Sequence, residues 1–183
     1  MLEDLDKVIA ALKYWGLKPD IKNSYSWRFF IQKTTYLLEA FDMPISYFFT
    51  IHLKGTYSRQ LTQDYYAFQD RVCLLETNYV PTPKDIEIFE RMKKTVLERT
   101  KTPDDADAEL QLLEGISTAV YLMRQSPETV GEEVFATIKI LKPYLSDATV
   151  VIGLSIAKEV LFKPEYLTDE IQEEIEIWDR VDQ

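Results

Sequence analysis

The sequence predicts a mainly helical protein, a bundle of about seven to eight helices with a short strand or hairpin near residues 45–53. Apolar residues recur at helical spacing along most of the chain, and capping residues mark several helix starts. One stretch of alternating polarity interrupts this pattern. With 183 residues, 46% hydrophobic and 28% charged, the chain is long enough for an ordinary core.

Two amphipathic helices are predicted at the beginning of the chain. Gly16 can cap the C-terminus of the first helix, and Ser24 or Ser26 can cap the N-terminus of the second, which runs to about Phe41. The apolar stripe of the first consists of Leu5, Val8, Ile9 and Leu12. The apolar face of the second consists of Trp27, Phe30, Ile31, Thr34, Leu38 and Phe41.

The alternating stretch at residues 45–53 predicts a strand, because aromatic and β-branched residues occupy every second position. Its apolar phase is Ile45, Tyr47, Phe49, Ile51 and Leu53. Residues 54–56 are predicted as a turn, after which Ser58 can cap a third helix. That helix has the apolar positions Leu61, Tyr65, Phe68 and Val72. Residues 72–75 fit either this helix or a short strand pairing with the first one.

Three helix starts with a cap residue before proline are predicted in the second half, at Thr82, Thr102 and Ser126. The corresponding apolar positions are Ile86, Phe89, Val96, then Leu110, Leu113, Val120, then Val130, Val134, Leu141. Two more helices are predicted at about 147–162 and 168–181, the last with Ile171, Ile175 and Trp178. A seam near residues 77–82 separates an aromatic-rich unit, 1–76, from an acidic helical unit, 77–183, and we expect the two to pack as one domain.

The net charge of −10 is unevenly distributed. Residues 1–75 have a net charge of +1 and contain fifteen of the 23 aromatic residues, whereas residues 76–183 have a net charge of −11. An acidic surface disfavours nucleic acid and anionic membranes as partners. A lone Cys73, an N-terminus unlike a signal peptide and the absence of a membrane-length apolar run predict a cytoplasmic protein.

Catalytic signatures are absent from the sequence. His52 is the sole histidine and cannot form a multi-histidine metal site; its strand position predicts a packed or edge residue. The scattered glycines form no phosphate-binding loop, and Cys73, among apolar neighbours, predicts a buried inert thiol. Acidic clusters occur at residues 104–109, 132–133 and 170–176, where stabilisation of helix N-termini is favoured over metal binding. We therefore expect no cofactor and no metal.

The most distinctive segment is residues 29–64, which combines helix, strand, turn and helix start. On the helix, Gln32 and Tyr36 share one face, as do Lys33 and Tyr36. The free N–H groups after Ser58 can receive an anion, with Arg59 assisting. The alternative is an ordinary helix surface followed by an ordinary cap.

The two motifs of this segment resemble the Panacea, or SocA-like, antitoxins and related phage-associated proteins. The first matching run consists of Gln32, Lys33, Tyr36, Leu37 and Leu38. The second consists of Gly55, Tyr57, Ser58, Leu61 and Asp64. Thr56 replaces the proline of the family pattern, Thr34 replaces an apolar residue, and the match covers about a fifth of the chain. The resemblance implies a non-enzymatic regulator that binds a protein partner.

Three functions remain open, in order of preference. The first is a regulatory or adaptor module for a protein partner, with Gln32, Lys33, Tyr36, Gly55, Tyr57, Ser58, Arg59 and Asp64 as candidate binding residues. The second is a nucleic-acid-binding regulator with a winged-helix-like N-terminal unit, against which the net charge argues. The third is a carboxylate-dependent metal enzyme. The aromatic content of the N-terminal unit also leaves a homo-oligomer open.

Overall fold

The computed structural model describes residues 2–104, 110–129 and 131–162. These residues form eight α-helices, one short 3₁₀ helix and a two-stranded hairpin, which confirms the predicted helical bundle with a short hairpin. The elements are α1 (Leu2–Tyr14), α2 (Tyr25–Ala40), β1 (Thr50–His52), β2 (Gly55–Tyr57), α3 (Arg59–Ala67), α4 (Gln69–Leu74), α5 (Pro83–Thr95), the 3₁₀ helix (Leu97–Arg99), α6 (Gln111–Gln125), α7 (Gly131–Leu141) and α8 (Asp147–Leu161).

The first two helices follow their predicted caps and faces. Gly16, with φ +70°, ends α1, and the Ser24 hydroxyl accepts from the Trp27 N–H at the start of α2. The predicted apolar stripes of both helices are buried. In addition, α2 is buried on nearly all its faces, including Gln32 and Lys33. These two polar residues are therefore not helix surface and need partners inside the protein.

The strand is shorter than predicted, because only residues 50–52 pair with a neighbour. Residues 45–49 are extended and alternate between buried and exposed, as predicted, but no strand from the described part of the chain pairs with them. The turn is at Leu53 and Lys54 rather than at 54–56, since Gly55 and Thr56 belong to β2 and pair with His52 and Ile51. Leu53, predicted on the buried side, is exposed because it occupies the turn.

The predicted third helix is broken into α3 and α4. The Ser58 hydroxyl caps α3 by accepting from the Leu61 N–H, as predicted. At Phe68 the backbone leaves helical geometry, with φ −119° and ψ 34°, which separates the two helices. Residues 72–74 are helical, so the strand alternative is wrong. Since Val72 is the buried residue of this short helix, Cys73 is half-buried rather than buried.

Of the three predicted cap–proline starts, one is confirmed and two are displaced. Thr82 and Asp85 form a reciprocal capping box at the start of α5. Helix α6 begins at Gln111 rather than after Thr102, and α7 begins at Gly131 because residues 126–129 form a turn, with the Thr129 N–H donating to the Ser126 carbonyl. Ser146 caps α8 as expected for the helix at 147–162. The helix predicted at 168–181 and residues 105–109 and 130 lie outside the described residues.

One hydrophobic core cluster includes buried residues from α1 to α8. Helix α6 is central: it contacts α2, α7, α8 and β2. Members from the larger helices include Leu5, Phe30, Phe89, Ile116 and Ile156. Within the described ranges, no helix has the length and hydropathy required to cross a membrane. The hairpin is thus fixed between α2 and α6, and its outer side borders the candidate site.

Candidate functional site

A cavity of about 330 Å³ opens between α2, the β1–β2 hairpin and α3. We call it the hairpin pocket. Its lining consists of Tyr25, Arg28, Phe29, Gln32, Lys33, His52, Lys54, Gly55, Tyr57, Thr62, Tyr65 and Tyr66. Its volume lies at the lower end of the range typical of small-molecule sites. The pocket is large enough for one anchoring side chain or a small ligand.

Gln32 connects α2 to the start of α3. Its amide oxygen accepts from the Ser58 N–H at 2.8 Å. Its amide nitrogen donates to the Ser58 carbonyl at 3.0 Å and to the Thr62 hydroxyl at 2.9 Å. These bonds occupy both ends of the amide, so Gln32 positions the capping residue of α3 at the wall of the pocket.

Lys33 lies at the floor of the pocket and is only 3% exposed. Its ammonium group donates to the Thr56 carbonyl at 2.7 Å and lies 4.4 Å from the centre of the Phe29 ring. Burial lowers the pKa of Lys33 to about 7; the Glu114 carboxylate opposes this shift and Lys142 adds to it. Burial therefore disfavours the charged form of Lys33, and the contacts of its amino group with the Thr56 carbonyl and the Phe29 ring hold it in position.

A second buried lysine fixes the hairpin from below. Lys142, completely buried after the end of α7, donates to the carbonyl oxygens of His52 and Leu53. Its ammonium group lies 3.6 Å from the Glu114 carboxylate on α6. The Tyr144 hydroxyl donates to the same carboxylate and lies 3.0 Å from the Leu53 carbonyl oxygen. This network joins the hairpin turn to α6 and the α7–α8 connection.

Gly55 is required where the hairpin meets these side chains. Its φ of +91° lies in the region that favours glycine. A Cβ atom at this position would lie 3.2 Å from Glu114 Cγ and 3.2 Å from Lys33 Cε. The missing side chain thus allows the hairpin to approach the buried ionic groups.

Half of the residues that line the pocket carry aromatic rings. His52 and Tyr57 make an edge contact with ring centres 4.9 Å apart across the hairpin. Tyr65 and Tyr66 lie 5.0 Å apart on α3. Tyr25, on α2, is largely exposed at the rim. Their flat apolar faces suit a planar or aliphatic group.

The predicted binding residues do not all converge. Gln32, Lys33, Gly55 and Tyr57 line the hairpin pocket, whereas Ser58 is the buried cap behind it. The remaining three lie elsewhere. Tyr36 lines a separate cavity with Arg124 and Phe49, Asp64 accepts from the Tyr47 hydroxyl at 2.8 Å, and Arg59 is exposed outside the pocket.

Several lining residues were not predicted from the sequence. Tyr25, Arg28 and Phe29 precede Gln32 at helical spacing, so the pocket side of α2 was detectable as a stripe at i, i+3, i+4 and i+7. Tyr65 and Tyr66 were detectable in the same way from Thr62. In contrast, Glu114, Lys142 and Tyr144 lie far away in sequence, and no local pattern connects them to the hairpin.

Among residues 2–104, 110–129 and 131–162, no group of three or more His, Cys, Asp or Glu side chains could hold a metal ion. The acidic residues at 105–109 and 170–176 are outside these ranges. No family model matches the chain, and no curated protein or solved structure matches it either.

Proposed function

We propose that this chain is a non-enzymatic regulatory or adaptor module that binds a protein partner at the hairpin pocket and its rim. The observation that carries the proposal is a group of exposed apolar side chains around the pocket. Tyr25 is 60% exposed, Leu53 76%, Tyr66 48% and Tyr144 41%. Large exposed apolar groups gathered at one place are typical of interaction sites.

Contacts between these residues support treating them as one surface. Tyr25 and Tyr66 both line the pocket with Lys54, whose ammonium group lies 4.5 Å from the centre of the Tyr144 ring. The Tyr144 hydroxyl in turn contacts the Leu53 carbonyl. An aromatic rim around a preformed cavity is the arrangement in which a few buried anchors provide most of the binding energy.

The resemblance to the Panacea antitoxins supports this proposal, because residues of the two resembling motifs contact each other at the hairpin pocket. Gln32 and Lys33, from the first motif, bond to Ser58 and Thr56, in the second. The two motifs therefore build the frame of the hairpin pocket. A partner-binding regulator would need such a frame to keep its contact surface preorganised.

The nucleic-acid alternative has less support. The basic residues that this alternative would use in the helix–strand–turn–helix segment are Lys33, Lys54 and Arg59. Lys33 is buried and Arg59 lies outside the pocket, so Lys54 is the exposed pocket cation of the three. Phosphate backbones are bound by rows of accessible lysines and arginines. With a net charge of −10, the chain as a whole repels a long polyanion.

A selection experiment tests the proposal. The full chain is used as bait against fragments of the proteome of the organism that encodes it, and each binder is purified and titrated by calorimetry. We expect Leu53→Asp to weaken binding by at least about tenfold, because it places a charge in a desolvated contact. Val80→Asp is the matched control, since Val80 is equally exposed but lies in the segment before α5. It should leave the affinity unchanged.

Two outcomes would contradict the proposal. One is the absence of any protein that binds the purified chain reproducibly. The other is a binder whose affinity is insensitive to Leu53→Asp and to a second rim variant, Tyr66→Ala. Circular dichroism of each variant ensures that a loss of binding is not a loss of fold.

A further inference from the structure

The charges that line the hairpin pocket are opposite in sign to the charge of the protein. The chain has a net charge of −10, yet among the described residues the ionisable lining consists of Arg28, Lys33, Lys54, His52 and tyrosines, without a carboxylate. Clefts lined by one sign of charge concentrate ligands of the other sign. The lining therefore favours an anionic group.

The three basic side chains of the pocket have neutral partners. Arg28 donates to the Ile21 carbonyl at 2.7 Å, Lys33 donates to the Thr56 carbonyl, and Lys54 lies against the Tyr144 ring. Within the described part of the chain, no carboxylate oxygen lies within 4.0 Å of any of these cations. A cation in a partly desolvated site without a counter-charge gains from a bound anion.

Glu114 does not remove this imbalance. It lies beneath the hairpin, where its carboxylate is 3.6 Å from the Lys142 ammonium group and accepts from Tyr144. Lys33 and Lys142 thus share one nearby carboxylate. Burial lowers the pKa of Lys33 to about 7, and an anion bound near its amino group would favour the protonated form.

We infer that the hairpin pocket binds an aromatic side chain flanked by a carboxylate, so that the partner presents an acidic peptide segment. This inference rests on the proposed function and specifies the chemistry of the partner. The ring would pack against the faces of Tyr25, Phe29 and Tyr66, and the carboxylate would face Lys54. A single carboxylate is small enough to be attracted mainly by these local cations. A nucleic acid is a long polyanion, so the net negative charge of the whole protein repels it.

Small probes test the chemistry of the pocket directly. Phenylacetate, phenylacetamide and phenethylammonium have the same ring but differ in charge, and each is titrated into the full chain while the amide signals of Gly55 and Tyr57 are followed by NMR. We expect phenylacetate to shift these signals saturably and to bind at least roughly fivefold tighter than the amide. Equal affinity of the three probes, or no shift by phenylacetate at tens of millimolar, overturns the inference.

A matched pair of variants tests the cation. Lys54→Gln should weaken phenylacetate binding by about two- to fivefold, because Lys54 is an exposed member of the pocket. Lys94→Gln removes the same charge from the exposed side of α5 and should have no effect. If both variants weaken binding equally, the anion responds to net charge alone and the pocket assignment is wrong.

Random peptides displayed on phage test the class of partner. Selection on the full chain should enrich sequences in which aspartate or glutamate lies beside an aromatic residue, and Lys54→Gln should reduce their binding. Enrichment of basic or purely aliphatic peptides contradicts the inference. Tighter binding of a thymidine oligonucleotide than of the selected peptides, or a dimer that Leu53→Asp abolishes, would identify a different occupant.

Failure of the two proposals can be distinguished. If a protein partner is found whose binding is weakened by Leu53→Asp, but phenylacetate does not bind the pocket, only the inference of an aromatic side chain flanked by a carboxylate is refuted. Saturable phenylacetate binding without any protein partner refutes the proposed function and leaves the pocket as a site for a small aromatic anion.

Discussion

Gly55 determines how closely the hairpin approaches α2 and α6. A methyl group there would press against Glu114 and Lys33 and would also require a positive φ, so both sterics and backbone conformation oppose it. We expect Gly55→Ala to lower the free energy of unfolding by about 1–3 kcal/mol, measured by urea denaturation. Gly131→Ala is the control, because apart from the chain neighbours no described residue lies within 4 Å of the added Cβ. Equal stability of the two variants would contradict this account.

Lys33 gives stability a specific pH dependence. Burial lowers its pKa to about 7, from an ordinary value of 10.5. Between these values the unfolded chain binds more protons, so stability should rise with pH, by up to about 1 kcal/mol per unit. Above about pH 10 this gain is opposed by buried tyrosines such as Tyr36, whose pKa burial raises to about 12.

The measurement is the free energy of unfolding of wild type and Lys33→Met between about pH 7 and pH 9. The wild type should gain stability over this interval by more than the variant does. Lys142, whose pKa is also lowered by burial, gives a slope of the same sign that remains in Lys33→Met. Parallel pH profiles would show that Lys33 is charged throughout.

At the scale of elements, the sequence predicted helix starts correctly where a single capping residue determines the local structure. Serine caps before α2 and α3 and the Thr82–Asp85 box before α5 were recognised because their hydrogen bonds are local. β2 was missed because its three residues do not alternate in polarity, and it is stabilised by buried groups on distant helices. The displaced starts of α6 and α7 show that a cap followed by proline also fits a turn.

Lys142 ties the hairpin to the helical bundle, and this contact can be tested on its own. Lys142→Met removes the donor for the His52 and Leu53 carbonyl oxygens while preserving much of the buried volume. Amide hydrogen exchange in residues 50–57 should accelerate by at least roughly tenfold, because charge-assisted bonds are lost. Lys94→Met, at an exposed position of α5, should leave this exchange unchanged. Unaltered exchange in both would mean that strand pairing alone stabilises the hairpin.

At the scale of the whole molecule, the site combines a local part and a distant part. The local part consists of Gln32, Lys33, Gly55 and Tyr57, which belong to the two sequence motifs within residues 29–64. The distant part arises because α6 and the α7–α8 connection pack under the hairpin and bring Glu114 and Lys142 to it. Such long-range placement depends on tertiary packing, which local periodicity does not encode.

The packing of α6 against α8 fixes this distant part, and two glycines make it testable. A Cβ at Gly153 would lie 3.1 Å from the Gly115 carbonyl carbon and 3.2 Å from the Ile116 nitrogen. Backbone atoms cannot rotate away, so Gly153→Ala must separate the helices, and we expect a loss of about 2–4 kcal/mol in thermal or urea unfolding.

Gly115→Ala provides the contrast on the facing helix. Its Cβ would meet the Thr149 carbonyl oxygen at 3.6 Å, an ordinary contact, and alanine favours the helix by up to about 1 kcal/mol. This variant should therefore be neutral or slightly stabilising. Because Glu114 precedes Gly115 on α6, Gly153→Ala should also weaken phenylacetate binding at the hairpin pocket, whereas Gly115→Ala should not. Equal effects of the two variants would show that the α6–α8 contact tolerates expansion and does not position the pocket.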